Sequence, residues 1–390
     1  MRFINYCIVV FFVVLFANPL VAQVNDPFIQ AQVSKVSQDS IAKLLQQFEA
    51  FGKKTPGTVA LGQTGNWIRS YYQRLGYADI RRDSFQYINH TLYNVVVTKK
   101  GTDYPDKYLI VDAHYDTYSG PGTNDNGSGT AIVMELARIM ADLESAYSIK
   151  FVHFSAEEEG LIGSSHYVDE VVVPTGMQVK LVFNIDEVGG VHGQVNNTIT
   201  CERDELPPQT NNEASWAYTD TLANLVQLYT ALQTTVNYAY GSDYVPFQEK
   251  GYVITGFYET NESPYVHSPS DVLANLDEGY VYQVGAASMA ALAYFSQAYE
   301  AGSGVGVERY GAAIEIGPNP FDELLRIKAG NLEACTLRNV TNQLMGRFTC
   351  GPGEDIIIGT RTLPAGMYFL QLEYKNKQKT EVYKLLKKAH

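Results

Sequence analysis

Four short runs, residues 92–98, 108–113, 149–155 and 179–185, are β-branched, aromatic or otherwise apolar at nearly every position. A strand with one face in water alternates polar and apolar residues, so a continuous run predicts a strand covered on both faces. Between and after these runs the apolar spacing becomes helical, over 129–143, 163–171, 219–232 and 280–298, with one more strand at 252–257. Two further helices, 37–51 and 65–75, precede the first run. In the earlier one Ile41, Leu44, Leu45 and Phe48 share a face. Such alternation predicts an α/β fold, a mainly parallel mixed sheet flanked by helices, over residues 23–300.

The pattern then changes. Residues 301–312 open with Ala-Gly-Ser-Gly-Val-Gly and read as a flexible linker. Within 313–390 about seven short strands (314–316, 324–327, 336–340, 344–348, 355–358, 367–373 and 381–386) are separated by Gly, Pro and Asn. So many strands in so short a stretch predict a small all-β sandwich. Charge divides at the same place. Residues 313–390 hold 11 Lys+Arg against 8 Asp+Glu, leaving 18 against 34 in the rest of a chain of net charge −13. A chain this acidic lacks the basic footprint of a nucleic-acid binder.

No apolar run reaches the roughly 18 residues of a membrane span. Arg2 precedes an 11-residue apolar run, 7–17, and Ala22 supplies a small cut-site residue. These are the parts of a signal peptide, 1–22, and predict export through the periplasm to a secreted or surface-attached form. Cys7 falls inside that segment. Cys201 is expected on a loop, and Cys335 and Cys350 are near enough in sequence to pair, a point the spacing leaves open.

The chemistry-bearing residues of the first domain fall at strand ends. His114 and Asp116 follow the run 108–113, and Glu157 and Glu158 follow 149–155. Asp186 ends 179–185, and His267 lies in a loop after 252–257. Asp125 sits in the small-residue segment Gly122-Thr123-Asn124-Asp125-Asn126-Gly127-Ser128-Gly129. Taken singly, each has an ordinary structural reading as a surface pair, a helix start or a turn. Taken together they collect at the carboxyl edge of the sheet, where open α/β folds bind ligands. Gathering so many carboxylates requires cations, and mixed His/Asp/Glu ligation without Cys suits zinc. Two His and at least three carboxylates suffice for two ions sharing one carboxylate, with a further carboxylate left as base.

The motifs Ala113-His114-Tyr115-Asp116, Asn124-Asp125-Asn126, Ala156-Glu157-Glu158-Glu159-Gly160, Asn184-Ile185-Asp186 and Val266-His267-Ser268-Pro269 resemble, in order and spacing, the dizinc exopeptidases of the bacterial leucyl aminopeptidase type. That family also holds glutamate carboxypeptidase and the transferrin receptor. The resemblance covers about residues 35–300. It implies two Zn2+ ions bridged by Asp125, with His114 and Asp186 completing one site and Glu158 and His267 the other. It implies Glu157 as general base and Asp116 as the group that orients the His114 ring through a hydrogen bond. The oxyanion donor of the family falls near Tyr238-Ala239-Tyr240-Gly241-Ser242-Asp243-Tyr244, so Tyr238 and Tyr240 are candidates, and Tyr replaces the usual His at 244. The implied activity is release of N-terminal residues from peptide substrates. Carboxypeptidase or dipeptidase action, or glutaminyl cyclase-like acyl transfer on the same fold, are the alternatives. A receptor-like relative would have lost ligands, and here all are present.

The C-terminal part resembles the sorting domain of the type IX secretion system. The resemblance rests on Gly317-Pro318-Asn319-Pro320-Phe321, Asn342-Gln343-Leu344-Met345-Gly346-Arg347, Leu363-Pro364-Ala365-Gly366-Met367-Tyr368 and the terminal Lys384, Lys387 and Lys388. It implies recognition by that secretion machinery.

Overall fold

The structure, a computed structural model, describes residues 26–239 and 241–300 and, farther on, 315–317, 324–328, 332–339, 343–349, 356–364, 366–374 and 380–387. The expected signal peptide and linker, Tyr240 and Cys350 lie outside the described residues. The chain divides into two compact units, Val24–Val305 and Gly306–His390.

The first unit opens with helices α1 (Pro27–Val33), α2 (Gln38–Ala50) and α3 (Val59–Arg74). Strands β1 (Asp79–Tyr87), β2 (His90–Lys99) and β3 (Tyr104–His114) follow, then α4 (Gly127–Met140). Next come β4 (Leu143–Ser145), β5 (Tyr147–Phe154), α5 (Ile162–Tyr167), β6 (Gln178–Ile185) and β7 (Thr198–Arg203). The unit closes with α6 (Asn212–Tyr229), β8 (Gln233–Tyr238), α7 (Val245–Glu249), β9 (Ile254–Glu259), α8 (Glu278–Ser296) and β10 (Ala298–Glu300).

Eight strands form one sheet in the order β1-β2-β5-β3-β6-β9-β7-β8. The four central strands, β5-β3-β6-β9, are parallel, while β1 and β2 add on antiparallel. β7 and β8 are parallel to each other but antiparallel to β9. From β3 the chain moves to β5 on one side and then to β6 on the other. The strand order therefore reverses at β3, and ligand crevices of open α/β sheets form at such a point.

The continuous apolar runs are covered on both faces as expected. Leu109, Val111, Ile149, Phe151, Leu181 and Phe183 enter the core formed with α2, α4 and α8. Ile110, Val152, Phe154 and Val182 enter the opposite core, where Tyr167, Tyr244 and Phe247 pack. Strand alternation thus splits one apolar run between two cores. The polar strands β1, β7 and β8 escape a reading based on apolar runs. β1 carries Arg81 and Arg82 outward, and β8 is exposed along most of its length, as suits the two sheet edges. Cys201 sits on β7, buried, rather than on a loop. α3 starts six residues before the expected 65 because Thr58 caps it, its hydroxyl accepting from the Leu61 N–H at 3.2 Å.

In the second unit, β11 (Glu315–Gly317), β12 (Leu324–Lys328) and β15 (Ile356–Gly359) form one sheet. β13 (Leu332–Asn339), β14 (Leu344–Thr349), β16 (Gly366–Tyr374) and β17 (Thr380–Lys387) form another, ordered β14-β13-β16-β17. Leu325, Ile327, Ile356 and Ile358 from the first meet Leu337, Leu370, Leu372 and Leu385 from the second in one core. Cys335 is buried there on β13.

α4 lies against β3 and β6 and under α2 and α8, and its first turn closes on the end of β6. A Cβ at Gly129 would strike the carbonyl oxygen of Ile185. Gly62, on α3, has nothing within 4 Å of that position. Helix propensity alone favours Ala over Gly by about 1 kcal/mol. Gly62→Ala is therefore expected to raise the thermal midpoint and Gly129→Ala to lower it, as differential scanning calorimetry would show.

Candidate metal centre

Each central strand delivers its group at the same edge. β3 ends on His114, the turn after β5 carries Glu157 and Glu158, and β6 runs into Asp186. His267 comes from the loop after β9, and Asp125 from the loop that enters α4. The two oxygens of Asp125 face different imidazoles. Oδ1 lies 3.2 Å from His114 Nε2 and Oδ2 lies 3.0 Å from His267 Nε2. His114 Nε2 is also 3.4 Å from Asp186 and 3.9 Å from Glu157. His267 Nε2 is 3.1 Å from Glu158. All five expected ligands, and Glu157, thus converge into two groups joined at Asp125. His114 and Asp125 are buried, whereas the His267 side chain is 54% exposed.

The loop carrying Asp125 is held from three sides. Asp271 accepts the N–H of Asn124 at 2.7 Å and of Asp125 at 3.0 Å. Buried Glu259 accepts from the Asn124 side chain at 3.0 Å and from the N–H groups of Gly190 and Ser263 at 2.6 and 2.7 Å. The buried Lys54 ammonium donates to the carbonyls of Gly52 and Pro121 at 2.9 and 2.5 Å. Gly122, at φ +60°, lets the loop fold back onto Thr117, where a Cβ would clash. Ser242 donates to Asp186 Oδ2 at 2.7 Å.

Three residues other than glycine beside or within the cluster have left-handed backbone: Ala156 (φ 59°), Glu187 (φ 45°) and His267 (φ 56°). Such conformations cost energy and gather at functional sites. A cavity of about 520 Å³ opens beside the Glu158–His267 group, lined in part by Lys53, Tyr87, Ile88, His90, Tyr118 and Glu159. The Tyr118 ring packs 5.0 Å from that of His267.

Asp116 stands beside His114 and is among the groups that favour its protonated ring. Its carboxylate stands 3.7 Å from His114 Nδ1, which lies nearer the backbone oxygen of Asp116, at 3.3 Å. Its two oxygens are taken by the converging N–H groups of Glu157 at 3.1 Å and Glu158 at 3.2 Å. Asp116 therefore fixes the turn that presents both glutamates. Tyr238 ends the edge strand β8 with half its surface in solvent, and Tyr240 lies outside the described residues. Tyr244 is buried, and its hydroxyl donates to Glu202 at 3.0 Å. Glu187, Ser242, Glu259 and Asp271 were not singled out in the sequence, since lone polar residues near strand ends carry no pattern of their own.

Electrostatics and unpaired atoms both call for cations. Burial pushes the Glu157 carboxyl well up, and burial with repulsion from Asp125 pushes Glu158 up to about 10. Burial also opposes ionisation of Asp125, yet the His114 and His267 imidazoles facing its two oxygens hold it below the usual carboxylate range. Without cations, then, protons on imidazoles and glutamates balance the charge. Asp125 Oδ2, Glu158 Oε1 and Asp186 Oδ1 are buried without a hydrogen-bond partner. Buried polar atoms are seldom left so. Cation ligands at about 2.0–2.2 Å would satisfy them, and facing N and O atoms 3.0–3.9 Å apart fit around such an ion.

A reversal point in an α/β sheet, edged by imidazoles and a shared carboxylate, defines a metal-dependent enzyme site. The chain belongs to peptidase family M28, whose profile matches residues 94–292 and so spans every residue of this cluster. Aminopeptidase YwaD of Bacillus subtilis is 34% identical over 207 residues, 51% of this chain and 44% of that protein. The chain thus spans less than half the length of this curated relative. BSAP, described as a zinc aminopeptidase from Bacillus subtilis, has a TM-score of 0.58 at 21% identity, covering 67% of this chain and 95% of that one. Macrostomum lignano glutaminyl cyclase has a TM-score of 0.61 at 16% identity, covering 70% of this chain and 93% of that one. At these identities the two structures speak for the fold, which aminopeptidase and cyclase share.

Outer partners that orient ligands typically contribute 10- to 100-fold to metal affinity. Asp271→Ala frees both N–H groups behind Asp125. It is expected to weaken zinc binding about 10- to 100-fold while leaving the circular dichroism spectrum unchanged, as competition with a chromophoric chelator would measure.

Proposed function

We propose that this chain is an exported zinc-dependent exopeptidase that releases N-terminal residues from peptides at a site holding two zinc ions. The carrying observation is that Asp125 presents one oxygen to each of two His–carboxylate groups, at 3.2 and 3.0 Å. In this reading His114 and Asp186 hold one ion, Glu158 and His267 the other, and Asp125 both. When bound, the ions acidify a water and polarise the scissile carbonyl.

The remaining steps fall to the chain itself. Glu157 lies beside the His114 group but is not needed to complete either ligand set, which frees it for proton transfer. Its position is fixed because its N–H is held by Asp116 at 3.1 Å. It takes a proton from the attacking water as the C–O bond forms. It gives the proton to the leaving amine as the C–N bond breaks. Burial keeps its proton affinity high, which suits a group that must accept a proton and then release it.

Purified chain is expected to hydrolyse leucine p-nitroanilide, to lose that activity with a chelator and to regain it with zinc. Positioned acid–base groups contribute about 10²–10⁴-fold. Glu157→Gln is expected to lower kcat by at least about 100-fold with both zinc equivalents retained in elemental analysis. Undiminished turnover in that variant would remove Glu157 from the role.

For export, the supporting features are the charged, apolar and small-residue parts of 1–22 and the two-sheet unit that follows the catalytic one. The second unit serves in this reading as a type IX sorting domain. Mass spectrometry of the mature protein in culture medium is expected to show loss of residues 1–22 and of the C-terminal unit. A retained C-terminal unit would contradict sorting.

A further inference from the structure

The ligand set and base leave the carboxylate of Glu187, at the site, without a task. Glu187 follows Asp186 at the end of β6 and offers an oxygen within 4.8 Å of ligand oxygens of Asp125 and Asp186. Its Oε2 accepts from the Tyr258 hydroxyl at 3.3 Å. The charged groups that act on it most strongly are the carboxylates of Asp125, Asp186 and Glu259, with His114 the opposing one. Asp125 and Asp186 each face an imidazole within 3.4 Å; no such ion pair is made by Glu187 among the described residues. Its backbone is held in the left-handed region, φ 45°, and its carbonyl accepts the N–H of Glu259 at 2.9 Å.

We propose that Glu187 receives the α-ammonium group of the substrate and thereby decides which end of a peptide enters. The proposal rests on the exopeptidase reading above and deepens it. Distance favours the α-ammonium over a basic side chain. The amino nitrogen of a first residue lies about 2.5 Å from the carbonyl carbon to be attacked, by ordinary bond lengths. It must therefore sit against the ligand cluster, where Glu187 is. The ammonium of a lysine side chain would reach several ångströms farther out.

The site also has a direction. Glu187 groups with Asp125 and Asp186, whereas the open cavity adjoins Glu158 and His267 through Glu159 and Tyr118. A peptide whose first residue ends at Glu187 has that cavity as the way out for the rest of its chain. Discrimination follows from charge. A free N-terminus pairs with Glu187, while an acylated or internal segment leaves the carboxylate desolvated and unpaired, a costly state.

The test compares binding of L-leucine with that of 4-methylpentanoate, the same acid without its amine, to the zinc-loaded full chain by calorimetry. A hydrogen-bonded ion pair of this kind is worth about 10- to 100-fold in affinity. Wild type is expected to prefer leucine by that factor, Glu187→Gln to lose the preference with zinc content unchanged, and Glu187→Asp to recover part of it. A preference undiminished in Glu187→Gln would overturn the proposal. So would loss of a zinc equivalent, which would make Glu187 a ligand instead. Absence of hydrolysis of any aminoacyl anilide by wild type would count against the exopeptidase reading alone, because the binding comparison judges Glu187 without turnover.

Discussion

Asp125 stands between two imidazoles with one oxygen to each, and much of the first unit is arranged to keep it there. A buried carboxylate facing two rings is tolerable only if the positive charge on either side is held as firmly as the carboxylate. The sheet supplies that firmness. His114 is the last residue of β3, and its carbonyl accepts from the Thr130 hydroxyl on α4 at 2.7 Å. Helix α4 begins two residues after Asp125, with Asn126 capping Gly129 at 2.9 Å. The carboxylate therefore also feels the positive end of a buried helix.

The supporting carboxylates form a graded series. Asp116 and Asp271 each accept two backbone N–H groups, and Glu259 accepts two more along with a side-chain amide. Their charge is spent on shaping loops. Asp125, Asp186 and Glu158, the carboxylates proposed to bind cations, retain buried oxygens with no hydrogen-bond partner, as do Asp112 and Asp243. The shaping carboxylates are those whose oxygens meet backbone donors. Residue type alone does not reveal this division.

That division marks how far the sequence could be read. The strands of the parallel core were legible because both their faces are buried, which leaves a continuous apolar signal in 108–113, 149–155 and 179–185. The edge strands β1 and β8 were not, because an edge needs no such run, and neither was the polar β7 beside β8. The convergence of the five proposed ligands and Glu157 was legible because each sits at the end of a readable strand or in a distinctive small-residue loop. Asp116 was legible beside His114, but its two N–H partners were not, since the turn that brings them onto it is a tertiary feature. Asp271 and Glu259 act across 146 and 135 residues of sequence, beyond any local pattern.

A shared fold leaves the reaction to a few side chains around the metal ligands. Hydrolysis and cyclisation of an N-terminal residue make opposite demands on its amine. Cyclisation needs that nitrogen as the nucleophile, so it must be unprotonated and free to swing toward a side-chain carbonyl. Hydrolysis needs it held still while water attacks. If Glu187 receives that amine as proposed, its carboxylate, next to the end of β6 and near Asp125 and Asp186, would favour the protonated and immobile amine. In that proposed role it would suit the site to hydrolysis rather than to ring closure.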